Sequence, residues 1–120
     1  LDRHWLALAK IVDTLKSRIP NVKIVIAVTV APDSSTFGDG AAGLAYTAQD
    51  KQKKTAVIKE YLESTVRFAL GQNLPLADAF HQSLIAPAKY INGGDHIHPS
   101  EEGKQLFAQK VTDAILSLSL

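Results

Sequence analysis

The sequence predicts an α/β domain built on a parallel sheet with helices on its faces, and three observations point there. Helical and strand patterns alternate along the chain in the order helix, strand, helix, strand, helix. The run Val22–Val30 is rich in β-branched residues and barely alternates, as expected of a strand buried on both faces of a parallel sheet. Strands separated by helices imply crossover connections, and crossovers imply parallel pairing.

The elements follow in order. Trp5, Leu8, Val12, Leu15 and Ile19 recur at steps of three and four, with Lys10, Asp13, Lys16 and Arg18 between them. That spacing predicts an amphipathic helix, capped by Asp2 and ended by Pro20-Asn21. After the Val22–Val30 strand, Ala31-Pro32 breaks the pattern, and residues 32–47 form a long loop rich in Pro, Asp, Ser, Thr and Gly. It leaves the C-terminal end of a parallel strand, where open α/β sheets place their ligand crevices. A helix is predicted from Ala48 to Leu70, with Val57, Ile58, Tyr61, Leu62, Val66 and Ala69 as its buried stripe and Gly71 as its stop. Leu74–Phe80 reads as a shorter strand, and Pro75 sits near its start, where a missing N–H is tolerated. A loop with a helical turn runs from His81 to Gly94. The last helix follows Pro99. Ser100 suits its N-cap, Glu101 and Glu102 its first turn, and Leu106, Phe107, Val111, Ala114, Ile115 and Leu118 its apolar face.

Two strands are too few. A two-stranded parallel sheet leaves one edge of Val22–Val30 unpaired and apolar surface uncovered. Leu1 is not Met and already sits inside a helical pattern, which reads as a cut. Further strands are expected from an N-terminal segment, a second polypeptide or a partner subunit, so residues 1–120 are expected to be the C-terminal portion of a single domain.

Composition excludes several classes. With 120 residues, 46% hydrophobic and 21% charged, the chain suits a globular core and argues against disorder. Thirteen basic residues against twelve acidic give +1, which offers no electrostatic footprint for nucleic acid or an anionic membrane. There is no cysteine, so disulfides, zinc–thiolate sites and thiol nucleophiles are excluded. No apolar run reaches the roughly 18–20 residues of a membrane span. The compartment is not legible.

The chemistry concentrates in Gly93-Gly94-Asp95-His96-Ile97-His98-Pro99-Ser100-Glu101-Glu102-Gly103. Asp95 and His98 lie three residues apart on a tight loop against a helix start. A carboxylate so placed can accept from one imidazole nitrogen, fix the tautomer and stabilise the imidazolium formed when the other nitrogen takes a proton. That is the Asp–His half of a nucleophilic triad, which a serine would complete. The plain alternative is an aspartate capping a turn among solvated histidines. The proline and the well-capped helix that follow at once favour the triad.

Asp95-His96-Ile97-His98-Pro99, with Gly103 and a terminal amphipathic helix after it, resembles the final signature block of the SGNH/GDSL hydrolases. In that family a D-x-x-H-P segment before the last helix supplies the acid and base of the triad. The resemblance implies a three-layer α/β/α, flavodoxin-like fold, with Val22–Pro32 and Leu74–Phe80 as the last two strands of a five-stranded sheet. It spans nearly the whole chain, although its specific part is the nine residues from Asp95 to Gly103. It implies a carboxylic ester hydrolase acting on a small ester without cofactor, with His98 as base and Asp95 as its orienting acid.

The family's Gly-Asp-Ser block and its glycine and asparagine oxyanion donors are not found in this chain. One such donor is worth about a hundredfold or more in rate. Activity is therefore expected to require an N-terminal segment of the same enzyme, as a separate chain or a cleaved piece.

Four further readings bear on the site. Ser34, in Pro32-Asp33-Ser34-Ser35-Thr36, follows a strong strand and superficially resembles a Gly-Asp-Ser block, but a Ser-rich loop with local capping fits as well. His96 and His98 with Asp95 offer metal-ligand chemistry, although neither His4 nor His81 has an evident reason to converge as a third ligand. Asp78 is expected to cap or brace the crevice wall, and Tyr90 lies near enough in sequence to line a pocket. From another class, the chain also reads as a non-catalytic, flavodoxin-like binding or regulatory module.

Overall fold

The structure, a computed structural model, describes residues 1–118. It is a mixed helix and strand chain of the α/β class, in the order α1 (Asp2–Arg18), β1 (Ile26–Val28), α2 (Ala48–Gly71), β2 (Leu76–Asp78), α3 (Phe80–Ser83), α4 (Pro87–Tyr90) and α5 (Glu101–Leu116). β1 and β2 pair in parallel, with Ile26 opposite Leu76, Ala27 opposite Ala77 and Val28 opposite Asp78. No helix among the described residues is long and apolar enough to cross a membrane.

Both strands are shorter than their sequence patterns. Val22–Val25 and Thr29–Val30 lie outside the ladder, and Phe80 opens α3 rather than closing a strand. A strand registers as one only where it has a partner, and β1 has a partner on one side. The burial expected on both faces of Val22–Val30 does not hold either. Val28 and Val30 are buried while Ala27 and Thr29 are exposed. Ile26 donates its N–H to the Pro75 carbonyl (2.9 Å), and the Val28 carbonyl accepts from Ala79 N–H (3.1 Å). In a parallel ladder the peptide groups of alternate residues point to opposite sides, so those of Ala27 face the free edge.

Two apolar clusters hold the elements together. Val28, Ala31, Val66 and Phe80, with Ile26, Leu62 and Leu76 against them, join the sheet to α2. Val30, Ala79 and Ile91, with Tyr90, Leu106 and Phe107, join the strand ends to α5. α1 attaches through Trp5, which meets the fully buried Phe68 edge-to-face at 5.2 Å between centroids, and through His4 Nε2, 2.9 Å from Thr65 Oγ1.

Helix ends settle several expectations. α1 begins at Asp2 with Leu1 as N-cap, so Asp2 favours the dipole from within the first turn and does not cap. Thr47 and Asp50 form a reciprocal capping box at the start of α2. α2 runs through Gly71, and the left-handed residue after it is Asn73 (φ 54°), with Leu74 N–H donating to Ala69 and Asn73 N–H to Leu70. That is a Schellman closure with asparagine in glycine's usual place. Of the expected stripes, Ile19, Val57, Tyr61 and Ile115 are exposed, Ile19 lies past the end of α1, and Leu118 lies beyond the end of α5.

Candidate active site

A clasp ahead of α5 holds the segment that carries Asp95 and His98. Ile91 and Pro99 form an isolated antiparallel bridge, which brings the two ends of residues 92–98 together. Inside it, Asn92 N–H donates to the His98 carbonyl (2.8 Å) and His96 N–H to the Asn92 carbonyl (2.9 Å). Outside it, Ser100 N–H donates to the Tyr90 carbonyl (2.9 Å) and the Ser100 hydroxyl to the Lys89 carbonyl (2.7 Å). The same hydroxyl accepts from Gly103 N–H (3.1 Å), the N-cap expected of Ser100. Gly103 lets α5 close onto this clasp, because a Cβ there would stand 2.3 Å from the Tyr90 carbonyl oxygen. Tyr90 thus contributes its backbone, while its ring packs into the α5 cluster.

Within the clasp, Asp95 uses both carboxylate oxygens. Oδ1 accepts from Ile97 N–H (2.9 Å) and His98 N–H (3.1 Å), and Oδ2 lies 2.5 Å from His98 Nδ1. The Ile97 amide, the His98 ring and the His98 amide together hold the Asp95 carboxyl down at about 2, well below the usual carboxylate range. Asp95 is therefore an anion at any ordinary pH, and Nδ1 of His98 carries the proton between them. Among the described residues, nothing bonds Nε2 of His98, and the side chain is 75% exposed. An imidazole fixed through Nδ1 and free at Nε2 can accept a proton from an incoming hydroxyl.

The structure brings the residues 32–47 loop to the same place. His96 turns its Nδ1 to the Asp39 carbonyl (2.6 Å). Gly40, at φ +86°, lies against the Gly94 carbonyl so closely that a Cβ would stand 2.1 Å from its oxygen. Next to the clasp is a cavity of about 160 Å³, lined by Thr29, Val30, Pro32, Phe37, Ile58, Ile91, Ile97 and Pro99. It opens at the C-terminal end of β1. Phe37 and Ile58 also line a larger groove of about 480 Å³ with Tyr46, Lys53, Lys54 and Val57, where Phe37 and Tyr46 stack at 6.0 Å.

Ser34 Oγ accepts from Lys59 Nζ on α2 (3.0 Å). Among the described residues, no three His, Asp or Glu side chains converge as a metal-holding group.

A second Asp-x-x-His, Asp78-Ala79-Phe80-His81, repeats the pattern of Asp95–His98. Asp78, expected to cap or brace the crevice wall, sits at the end of β2. Its Oδ1 accepts from His81 N–H (3.0 Å), and its Oδ2 lies 2.5 Å from His81 Nδ1. His81 differs at its other nitrogen, which lies 2.7 Å from Glu63 Oε2 on α2. The Asp78 carboxylate, with help from Glu63, raises the imidazole above its ordinary value, although partial burial opposes this. A histidine held between two carboxylates favours its protonated form and has no nitrogen left to act as a base, and its spacing was legible in the sequence. Glu63, eighteen residues upstream, was not.

No protein-family description, curated protein or solved structure matches the chain.

Proposed function

We propose that this chain supplies the acid–base half of a serine ester hydrolase of the SGNH/GDSL type. The observation that carries the reading is the free Nε2 of His98 on a ring whose Nδ1 is held 2.5 Å from the anionic Asp95. Two further features support it. The dyad sits beside an apolar cavity at the C-terminal end of a parallel strand, where α/β sheets bind ligands. The sheet also packs against two apolar clusters, one reaching α2 and one reaching α5, as a three-layer, flavodoxin-like sheet requires.

The chemistry follows from the two nitrogens. A serine hydroxyl attacks the ester carbonyl while His98 Nε2 takes its proton, and Asp95 stabilises the resulting imidazolium. The tetrahedral intermediate collapses as Nε2–H protonates the departing alkoxide, leaving an acyl-serine and a free alcohol. Water then repeats the sequence with Nε2 as base, releasing the carboxylic acid and restoring the serine. The serine and the oxyanion donors belong to a segment N-terminal to Leu1 in the assembled enzyme, on the same polypeptide or a separate one. No cofactor enters these steps.

The test is ester turnover by the product of the complete open reading frame, with His98→Ala beside it. The reading expects hydrolysis of a short-chain p-nitrophenyl ester that falls by about a thousandfold or more in the variant. A fully active His98→Ala removes His98 as the base, and a folded product that binds ligands without turning over any ester points to the non-catalytic module instead.

A further inference from the structure

We infer that His96, between the two residues of the dyad, is a positioning residue whose left-handed backbone is locked from α2 through Asp39. His96 has φ +56°, in the left-handed region that few non-glycine residues enter, histidine more often than most. The geometry shows what that turn does. It reverses the chain immediately after Asp95, so that the N–H groups of both Ile97 and His98 converge on Asp95 Oδ1 at 2.9 and 3.1 Å. An extended residue 96 would send those two amides to opposite sides of the chain, and the carboxylate would lose the bonds that aim it at the His98 ring.

The turn is tethered by a hydrogen bond to the residues 32–47 loop. His96 Nδ1 lies 2.6 Å from the Asp39 carbonyl, which can only accept, so Nδ1 carries the proton. Asp39 is itself held twice. Its N–H donates to the Thr36 carbonyl (2.8 Å), and its carboxylate lies 2.6 Å from the Nζ of Lys51, whose side chain is only 14% exposed. Lys51 belongs to the first turn of α2, whose backbone is fixed by the Thr47–Asp50 capping box. A short chain of contacts therefore runs from the start of α2 through Asp39 and His96 to the carboxylate that orients His98. The first histidine of the His-x-His pair thus has its explanation outside metal binding: it shapes the loop, and the loop shapes the dyad.

The inference concerns the loop, and it rests on the hydrolase reading only for its effect on turnover. The titration of the Asp95 carboxyl, followed by carbon-detected NMR, reads the loop directly. In the native chain it should lie at about 2. His96→Asn, which tolerates the left-handed region and keeps a donor, should leave it there. His96→Val, whose β-branched side chain opposes that region, should raise it by about one pH unit or more as amide bonds to Asp95 are lost. Lys51→Met, on α2 and away from the dyad, should move it in the same direction with the amide spectrum of the core unchanged. An unmoved Asp95 in a folded His96→Val overturns the inference. If that variant does not fold, an unmoved Asp95 in Lys51→Met does so. Ester turnover by His96→Val and Lys51→Met in the complete reading frame should fall in kcat with KM nearly constant, while His96→Asn keeps it. No turnover even by the native protein would remove the hydrolase reading, and the titration would still decide the loop.

Discussion

His81 and His98 stand in the same relation to an aspartate three residues upstream, Nδ1 lying 2.5 Å from a carboxylate oxygen in both, and they differ at Nε2. His81 spends that nitrogen on Glu63, whereas among the described residues His98 keeps it free. One motif thus yields a histidine held between two carboxylates at the end of β2 and a candidate general base ahead of α5.

The first prediction separates the two histidines. In the complete enzyme, His98→Ala should abolish turnover with little loss of stability, since its side chain is mostly exposed. His81→Ala should do the reverse, lowering Tm while leaving kcat within a few-fold. Steady-state kinetics and calorimetry on the two variants check this. Equal kinetic losses would contradict the assignment.

Stability should also depend on pH through these groups, in opposite directions. The folded chain holds the His81 proton more tightly than the unfolded chain does. That contribution is complete below about pH 6.5 and fades as pH rises through the raised folded value. Asp95 is depressed, so its contribution is complete above about pH 4 and is lost as pH falls toward about 2. Chemical denaturation from pH 6 to pH 9 should show stability declining on the alkaline side, and His81→Gln should flatten that decline. An unchanged slope in the variant would remove His81 as its source.

Gly103→Ala should disturb the dyad without touching it. The added methyl would meet the Tyr90 carbonyl oxygen at 2.3 Å, so α5 must move away from the clasp. Overpacking of this kind costs about 1–3 kcal/mol. Thermal unfolding reads the loss, and the histidine NMR signals should show the His98 environment altered as well.

Phe68 joins α1 to the rest of the chain through Trp5 and is fully buried. Phe68→Ala should destabilise by about 3–5 kcal/mol. Trp5 emission in the folded variant should shift to longer wavelength as its apolar partner disappears.

Much of this was legible in the sequence, for identifiable reasons. The helical stripes of α1 and α5 and the Ser100 cap follow from local periodicity and local hydrogen bonding, so Val12, Ala114 and Ser100 fall where the pattern puts them. The extent of the strands was not legible, because a ladder needs a neighbour: Val22–Val25 have the composition of a strand without a partner to pair with. Asp95 and His98 could be found because they are three residues apart. Asp39, Lys51 and Glu63 could not, because they act on His96 and His81 across loops and helices. The Thr47–Asp50 box was visible in principle as a Thr followed three residues later by an acid.

The central claim is that His98 is the base for a serine outside residues 1–120. A fluorophosphonate probe, applied to the product of the complete reading frame and mapped by peptide mass spectrometry, tests it most directly. The account predicts one labelled serine, N-terminal to Leu1 in the assembled enzyme, with labelling lost in His98→Ala. Labelling of Ser34, or labelling that persists unchanged without His98, would contradict it.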